Sequence, residues 1–123
     1  MDVAQLIRVC QMESVTCRID AHLCGTIDGV FVIVDSENTS FDPSLMIDIV
    51  VPDFSRFAFH AGLQPRGGPG FAYGGRSVIS GTFTHVPTSK YPSAMIGFTF
   101  VEVSRHRRPP ARILPSLPTE MET

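Results

Sequence analysis

Asp20, His22 and Cys24 stand at alternate positions of one run, and a carboxylate, an imidazole and a thiol are groups that hold metals, move protons and attack carbonyls. On an extended chain, neighbouring members of that set project from one face about 6.5 to 7 Å apart, close enough to share an ion. A metal site would need a second ligand cluster to complete four-fold coordination, and the sequence supplies none. A thiol nucleophile would need a depressed pKa and an orienting partner, neither of which is legible. The solvated face of a strand accounts for all three residues, and no metal is expected. His60, His85 and His106 lie in separate contexts. There is no Gly-x-Ser-x-Gly elbow to support a Ser-His-Asp triad. Asp48, between Ile47 and Ile49, falls where strand alternation places a side chain outward. With no catalytic residue and no cofactor motif, the chain reads as a non-enzymatic protein.

Binding chemistry is better represented. The stretch from Arg66 to Gly75 holds five Gly and one Pro in ten residues, a composition no regular element favours. Its backbone amides and the flanking Arg66 and Arg76 suit an anion, but the Gly-Lys-Ser/Thr ending of a phosphate loop is missing. Phe71 and Tyr73 are aromatic anchors for an interface, so Arg66, Phe71, Tyr73 and Arg76 form the first candidate set. The second is the basic cluster Arg105, Arg107, Arg108 and Arg112, a set of polyanion contacts on a proline-rich stretch.

Charge limits the partners. Residues 1 to 104 carry ten acids against six Lys/Arg, and residues 105 to 123 carry two against four, within a net charge of −2. An acidic body disfavours a nucleic acid, whose binders normally present a basic face. The longest apolar run, Val30 to Val34, is strand-sized, so no membrane span is expected. The N-terminal stretch lacks the charged-then-apolar layout of a secretory signal, which points to a cytoplasmic protein. Cys10, Cys17 and Cys24 are odd in number and seven apart, a spacing for reduced thiols rather than for disulfides or zinc.

The elements that must position these residues are mostly strands. Val3, Leu6, Ile7 and Cys10 have helical spacing over residues 3 to 12, although a first strand reads almost as well. From Val15 to Cys24 the apolar period is two, and Asp28-Gly29 predicts a tight turn into a second arm, Val30 to Val34, that is apolar on both faces and so covered on both. A loop over 35 to 44 precedes a strand from Leu45 to Val51, stopped by Pro52. Phe54, Phe57 and Phe59 fit a helical turn or a strand. Residues 76 to 84 form a strand in which Gly81 marks a bulge or a close backbone approach. In the final strand, 94 to 104, Phe98 and Phe100 fall on one face while Val101 and Val103 fall on the other, so it is buried on both sides or bulged. From Arg105 onward four prolines and little periodicity predict an exposed, flexible tail.

This pattern predicts a single mainly β domain over 1–104 with a Pro/Arg-rich tail over 105–123. Five to six strands with interior glycines fit a small OB-like Greek-key barrel, with a β-sandwich as the alternative. The segments Val78-Ile79-Ser80-Gly81-Thr82-Phe83 and Gly97-Phe98-Thr99-Phe100-Val101-Glu102-Val103 resemble small bacterial proteins with OB-like barrels. In those proteins a Gly-Thr-Phe strand precedes the strand that closes the barrel. The resemblance implies the fold and no activity.

The functional expectation is a binding module that engages a protein partner through barrel loops, above all residues 64 to 76, in the manner of an immunity or inhibitor-like protein masking a basic toxin. The alternative is an OB-type single-stranded nucleic-acid binder using the arginine tail with Phe71 and Tyr73. A third class, a small enzyme or ligand-binding barrel, requires a concave pocket that sequence does not display. An uncovered edge strand would also let two copies pair into a homo-oligomer.

Overall fold

The computed structural model describes residues 2–25, 31–35, 42–63, 73–86, 90–105 and 107–115. Helix α1 (Val3–Cys10) settles the first ambiguity in favour of the helical period, since Val3, Leu6, Ile7 and Cys10 are its buried residues. Its start is fixed by a capping box: the Asp2 carboxylate accepts from the Gln5 amide at 2.8 Å, and the Asp2 amide donates to Gln5 Oε1 at 2.9 Å. Asp35 Oδ1 also accepts from the Val3 amide at 3.3 Å, tying the helix to the end of the second strand. Eight residues would not hold a helix in water alone, so the buried stripe stabilises it.

Six strands follow: β1 (Val15–Gly25), β2 (Phe31–Val34), β3 (Met46–Ile49), β4 (Tyr73–His85), β5 (Ser93–Arg105) and β6 (Arg108–Ile113). They are ordered β3-β2-β1-β4-β5-β6, and a parallel β3–β5 pairing (Ile47↔Ser93 to Ile49↔Met95) closes the first five into a barrel. The architecture is the mainly β, OB-like barrel expected, with β6 added outside it. Inside lie Ile19, Ala21, Leu23, Phe31, Ile33, Ile47, Ile79, Phe83, Met95, Val101 and Val103, the alternate residues of each strand. All four residues of β2 are buried, as an apolar run on both faces requires.

Strand β3 pairs with Ser93 to Met95 and β6 with Val101 to Arg105, different stretches of the same edge of β5, and helix α2 (Phe54–His60) packs where they part. The Phe54 ring stands edge-on to Phe31 at 5.1 Å and to Phe98 at 5.3 Å, and Phe57 lies 6.3 Å from Phe98. Phe54, Phe57 and Ala58 share one side at helical spacing, which decides the 53–63 segment. The register puts α1 and α2 at opposite ends of the barrel. Cys10 lies near Ser93, where β5 enters, whereas α2 sits beside Phe31 and the C-terminal half of β5.

Gly81 meets the expectation of close approach: an added Cβ would lie 2.7 Å from the Gly97 carbonyl oxygen and 2.9 Å from Met95 Sδ. The β4–β5 register shifts twice here, between Ser80 and Gly81 and between Thr82 and Phe83. Those irregularities resolve the conflicting faces of the last long strand, burying Phe98, Val101 and Val103 and leaving Phe100 only partly buried.

Three boundaries depart from the sequence reading. Strand β4 begins at Tyr73 rather than Arg76, because Tyr73, Gly74 and Gly75, the end of the glycine-rich stretch, pair with Gly25, Cys24 and Leu23. Strand β3 spans 46–49 rather than 45–51, because Leu45 belongs to a 3-10 turn, Pro43–Leu45, capped by Asp42 through the Ser44 amide at 3.0 Å. More consequentially, residues 105–113 are not a tail. They turn back as β6, pairing Val101↔Ile113 and Val103↔Ala111 and burying Ala111 and Ile113 in the main core. Composition misled because Pro109 and Pro110 argue against a strand only when their missing amides are needed, and an outer strand has one side free of partners. The Asp28-Gly29 turn and residues 116–123 lie outside the described residues.

Candidate functional site

The β5–β6 hairpin brings the arginines together. Arg105 and Arg108 are direct cross-strand partners, and Arg107 is the described residue of the turn between them. Two-residue hairpin turns favour Asn, Asp and Gly because they need positive φ. Arg107 has φ +57°, a left-handed conformation costing a side-chain-bearing residue about 1 to 2 kcal/mol. Like charges opposite one another in a sheet add a destabilisation of roughly 0.2 to 1 kcal/mol. This turn therefore combines an unfavourable backbone with an unfavourable charge pair.

The four side chains differ in freedom. Arg105 is half-buried, its Nε donating to the Pro109 carbonyl at 2.8 Å and its Nη1 lying 3.1 Å from where a Cβ on Gly62 would sit. It thus spans from the hairpin to the end of α2. Arg107 and Arg108 are exposed. Arg76 is also exposed and arrives from β4, where Ser77 pairs with Val103, so Arg76 runs alongside the last turn of β5. Contact there is tight, since a Cβ on Gly75 would fall 2.7 Å from Val103 Cγ1 and 3.1 Å from the Ser104 carbonyl. Alternation leaves Arg76 on the outer face with Ser104, while Arg105 and its partner Arg108 take the face of Val103, so Arg76 stands at the same barrel end but on the other face of the sheet.

The two candidate sets read separately in sequence thus meet at one barrel end, though not completely. Arg66 and Phe71 lie outside the described residues. Tyr73 opens β4, paired with Gly25. Arg112 belongs elsewhere: its Nη1 is 3.3 Å from Glu102 Oε2, and its guanidinium lies 4.5 Å from the Phe100 ring, which Arg18 also approaches at 5.8 Å. Its contacts hold β6 against β5.

Asp20, His22 and Cys24 do share a face but not an environment. Asp20 is exposed and His22 half-buried, while Cys24 sinks into a second apolar cluster with Val32, Val34 and Met46, against which Tyr91 packs. Burial pushes the Cys24 thiol above its ordinary pKa, the reverse of nucleophile activation. Cys10 and Cys17 are raised by burial too, with Cys17 adding to the rise at Cys10 and the Ser93 hydroxyl opposing it. No group of three metal-ligating side chains occurs among the described residues.

The second apolar cluster bears directly on nucleic acid. OB barrels bind oligonucleotides across the face of strands 2 and 3. Here the outward residues Val32, Val34 and Met46 of that face are buried, Val32 completely.

Sequence reading found the arginines and missed the hairpin that gathers them. The signal was present in Ala111 and Ile113, two apolar residues at strand spacing just after Arg108, but the turn lacks glycine and prolines intervene. Comparison of the chain with protein-family models, with curated proteins and with solved structures finds no match.

Proposed function

We propose that the chain is a non-enzymatic binding module that engages a protein partner through the barrel end formed by the start of β4 and the β5–β6 hairpin. The observation that carries this reading is the placement of Arg105, Arg107 and Arg108 on one hairpin, at the barrel end where β4 also presents Arg76. Binding residues held on a rigid scaffold at a loop-bearing end are the common arrangement of interaction domains. Masking a basic toxin would call for an acidic face, so the sign of this end speaks against an immunity-like role. Partnering by strand addition at β6 is disfavoured as well, because Pro109 and Pro110 remove donors from that strand, and the same holds for pairing of two copies there. We take the protein to be cytoplasmic, a reading supported by the three free thiols.

The test is position-dependent photo-crosslinking in the native host, with a photoreactive residue replacing Arg108 or Met12; Met12 is 88% exposed and just beyond α1, at the other end. A discrete protein adduct from position 108 and none from position 12 supports the reading. Adducts of equal yield from both positions, or only from position 12, refute it.

Single-stranded nucleic acid is the second reading, favoured by the same four guanidinium groups and opposed by the burial of Val32, Val34 and Met46 on the β2–β3 face. Titration of labelled single-stranded DNA and RNA at low and moderate salt decides it. The comparison protein should carry Arg107→Gly with Arg108→Gln, because truncation at Ser104 would delete core residues Ala111 and Ile113.

A further inference from the structure

We infer that the partner's docking element is a short acidic segment, held by its carboxylates on the arginines of the β5–β6 hairpin, at the barrel end where β4 presents Arg76; this rests on the protein-binding reading above. Three independent features lead there. Arg76, Arg107 and Arg108 are exposed without an ion-pair partner among the described residues, whereas the ion pairs present, Arg56–Asp53 and Arg112–Glu102, lie outside the cluster. Guanidinium groups that face no acid among the described residues can make two-point hydrogen bonds to a ligand's carboxylates.

The second feature is the frustrated turn. A left-handed Arg107 and a directly opposed Arg105–Arg108 pair are arrangements an unliganded hairpin would avoid, and Gly, Asn or Asp at position 107 would relieve the first. Backbone outliers of this kind cluster at ligand clamps, where the surroundings and the ligand together justify them. Carboxylates seated between the arginines would remove the repulsion that the free protein carries.

The third feature bounds the ligand's size and kind. Subtracting these four positive charges from the chain's net −2 leaves −6 for the rest, so the basic surface is an island. A long polyanion leaving the cluster runs against that remainder, whereas a segment of a few Asp and Glu residues ends where the arginines end. This favours an acidic peptide over an extended nucleic-acid strand. Because Pro109 and Pro110 blunt the adjacent edge, the segment is held by side chains rather than as an added strand.

The experiment is fluorescence anisotropy with the full chain and three labelled probes: a short Asp/Glu peptide, its Asn/Gln counterpart, and a single-stranded oligothymidylate. The acidic peptide should bind at low salt, weaken about tenfold on raising salt from roughly 50 to 200 mM as charge pairs are screened, and lose at least as much affinity in Arg107→Gly/Arg108→Gln. That double variant should melt no lower than the parent, because glycine suits the left-handed position. Equal binding of the Asn/Gln peptide, parental affinity in the double variant, or tighter binding of the oligothymidylate each overturns the inference. If the acidic peptide fails while crosslinking from position 108 still yields one protein, only this inference falls. If both fail, the protein-binding reading falls with it.

Discussion

Replacing Gly81 by alanine should destabilise the barrel, whereas the same change at Gly97, its neighbour across the β4–β5 ladder, should not. A Cβ on Gly81 would lie 2.7 Å from the Gly97 carbonyl oxygen and 2.9 Å from Met95 Sδ; a Cβ on Gly97 meets nothing within 4 Å. Met95 is a flexible side chain and can yield, but the Gly97 carbonyl belongs to the paired backbone, so relief means moving β5 at its bulge. Overpacking of this kind costs about 1 to 3 kcal/mol. The loss of unfolded-state entropy on going from glycine to alanine returns about 0.4 to 1 kcal/mol. The net for Gly81→Ala is therefore about 1 to 2 kcal/mol, a fall in Tm of roughly 4 to 10 °C for a chain of this length. Gly97→Ala, with the same entropy term and no clash, should leave Tm unchanged or raise it slightly. Differential scanning calorimetry on the two variants reads both. A Gly81→Ala protein as stable as the parent, or a Gly97→Ala protein that loses as much as Gly81→Ala, refutes the claim that backbone approach at the bulge dictates the glycine.

Other consequences follow from the same structure. Ile113→Ala should cost about 2 to 5 kcal/mol, because a fully buried core side chain is lost, and an effect under about 0.5 kcal/mol in urea unfolding would restore the tail reading of this segment. Asp53 holds φ +63° with no side-chain capping bond, and its 3.8 Å contact with Arg56 is largely exposed, so Asp53→Gly should raise stability by about 0.5 to 1 kcal/mol in the same assay. The thiols define an alkaline limit: burial raises Cys10, Cys17 and Cys24 above the ordinary 9.0, so the native state keeps protons that the unfolded chain releases. Their contribution is whole below pH 9 and lost as pH rises through the native values, so unfolding midpoints should fall above pH 9, less steeply in Cys24→Ala. Identical alkaline profiles for Cys24→Ala and parent would contradict this.

Most of the barrel was legible because strand periodicity is a local property. Val15 to Leu23 alternate, β2 is apolar throughout, and Gly81 and the mixed faces of 94–104 announced a bulge; each reflects a constraint acting within a few residues. What failed was non-local. β6 is a strand only because the C-terminal half of β5 has an edge that β3 leaves open, and nothing in Arg108-Pro109-Pro110-Ala111-Arg112-Ile113 states that such an edge exists. The candidate site shared that fate. Its arginines were visible individually, as a loop flank and as a tail, but their convergence depends on a hairpin whose turn residues break the usual turn chemistry. The contacts of Arg112 were hidden as well, because Phe100 and Glu102 become its neighbours only through the β5–β6 register.

The central claim is that binding occurs at the arginine-lined end and not on the β2–β3 face. Backbone amide NMR of the isotopically labelled full chain, titrated with the short Asp/Glu peptide, tests it residue by residue. Shifts concentrated at Arg76, Ser104, Arg105, Arg107 and Arg108, with Val32, Val34, Met46 and Met12 unmoved, are the predicted result. Shifts centred on Val32 and Met46, with the hairpin unmoved, would contradict it.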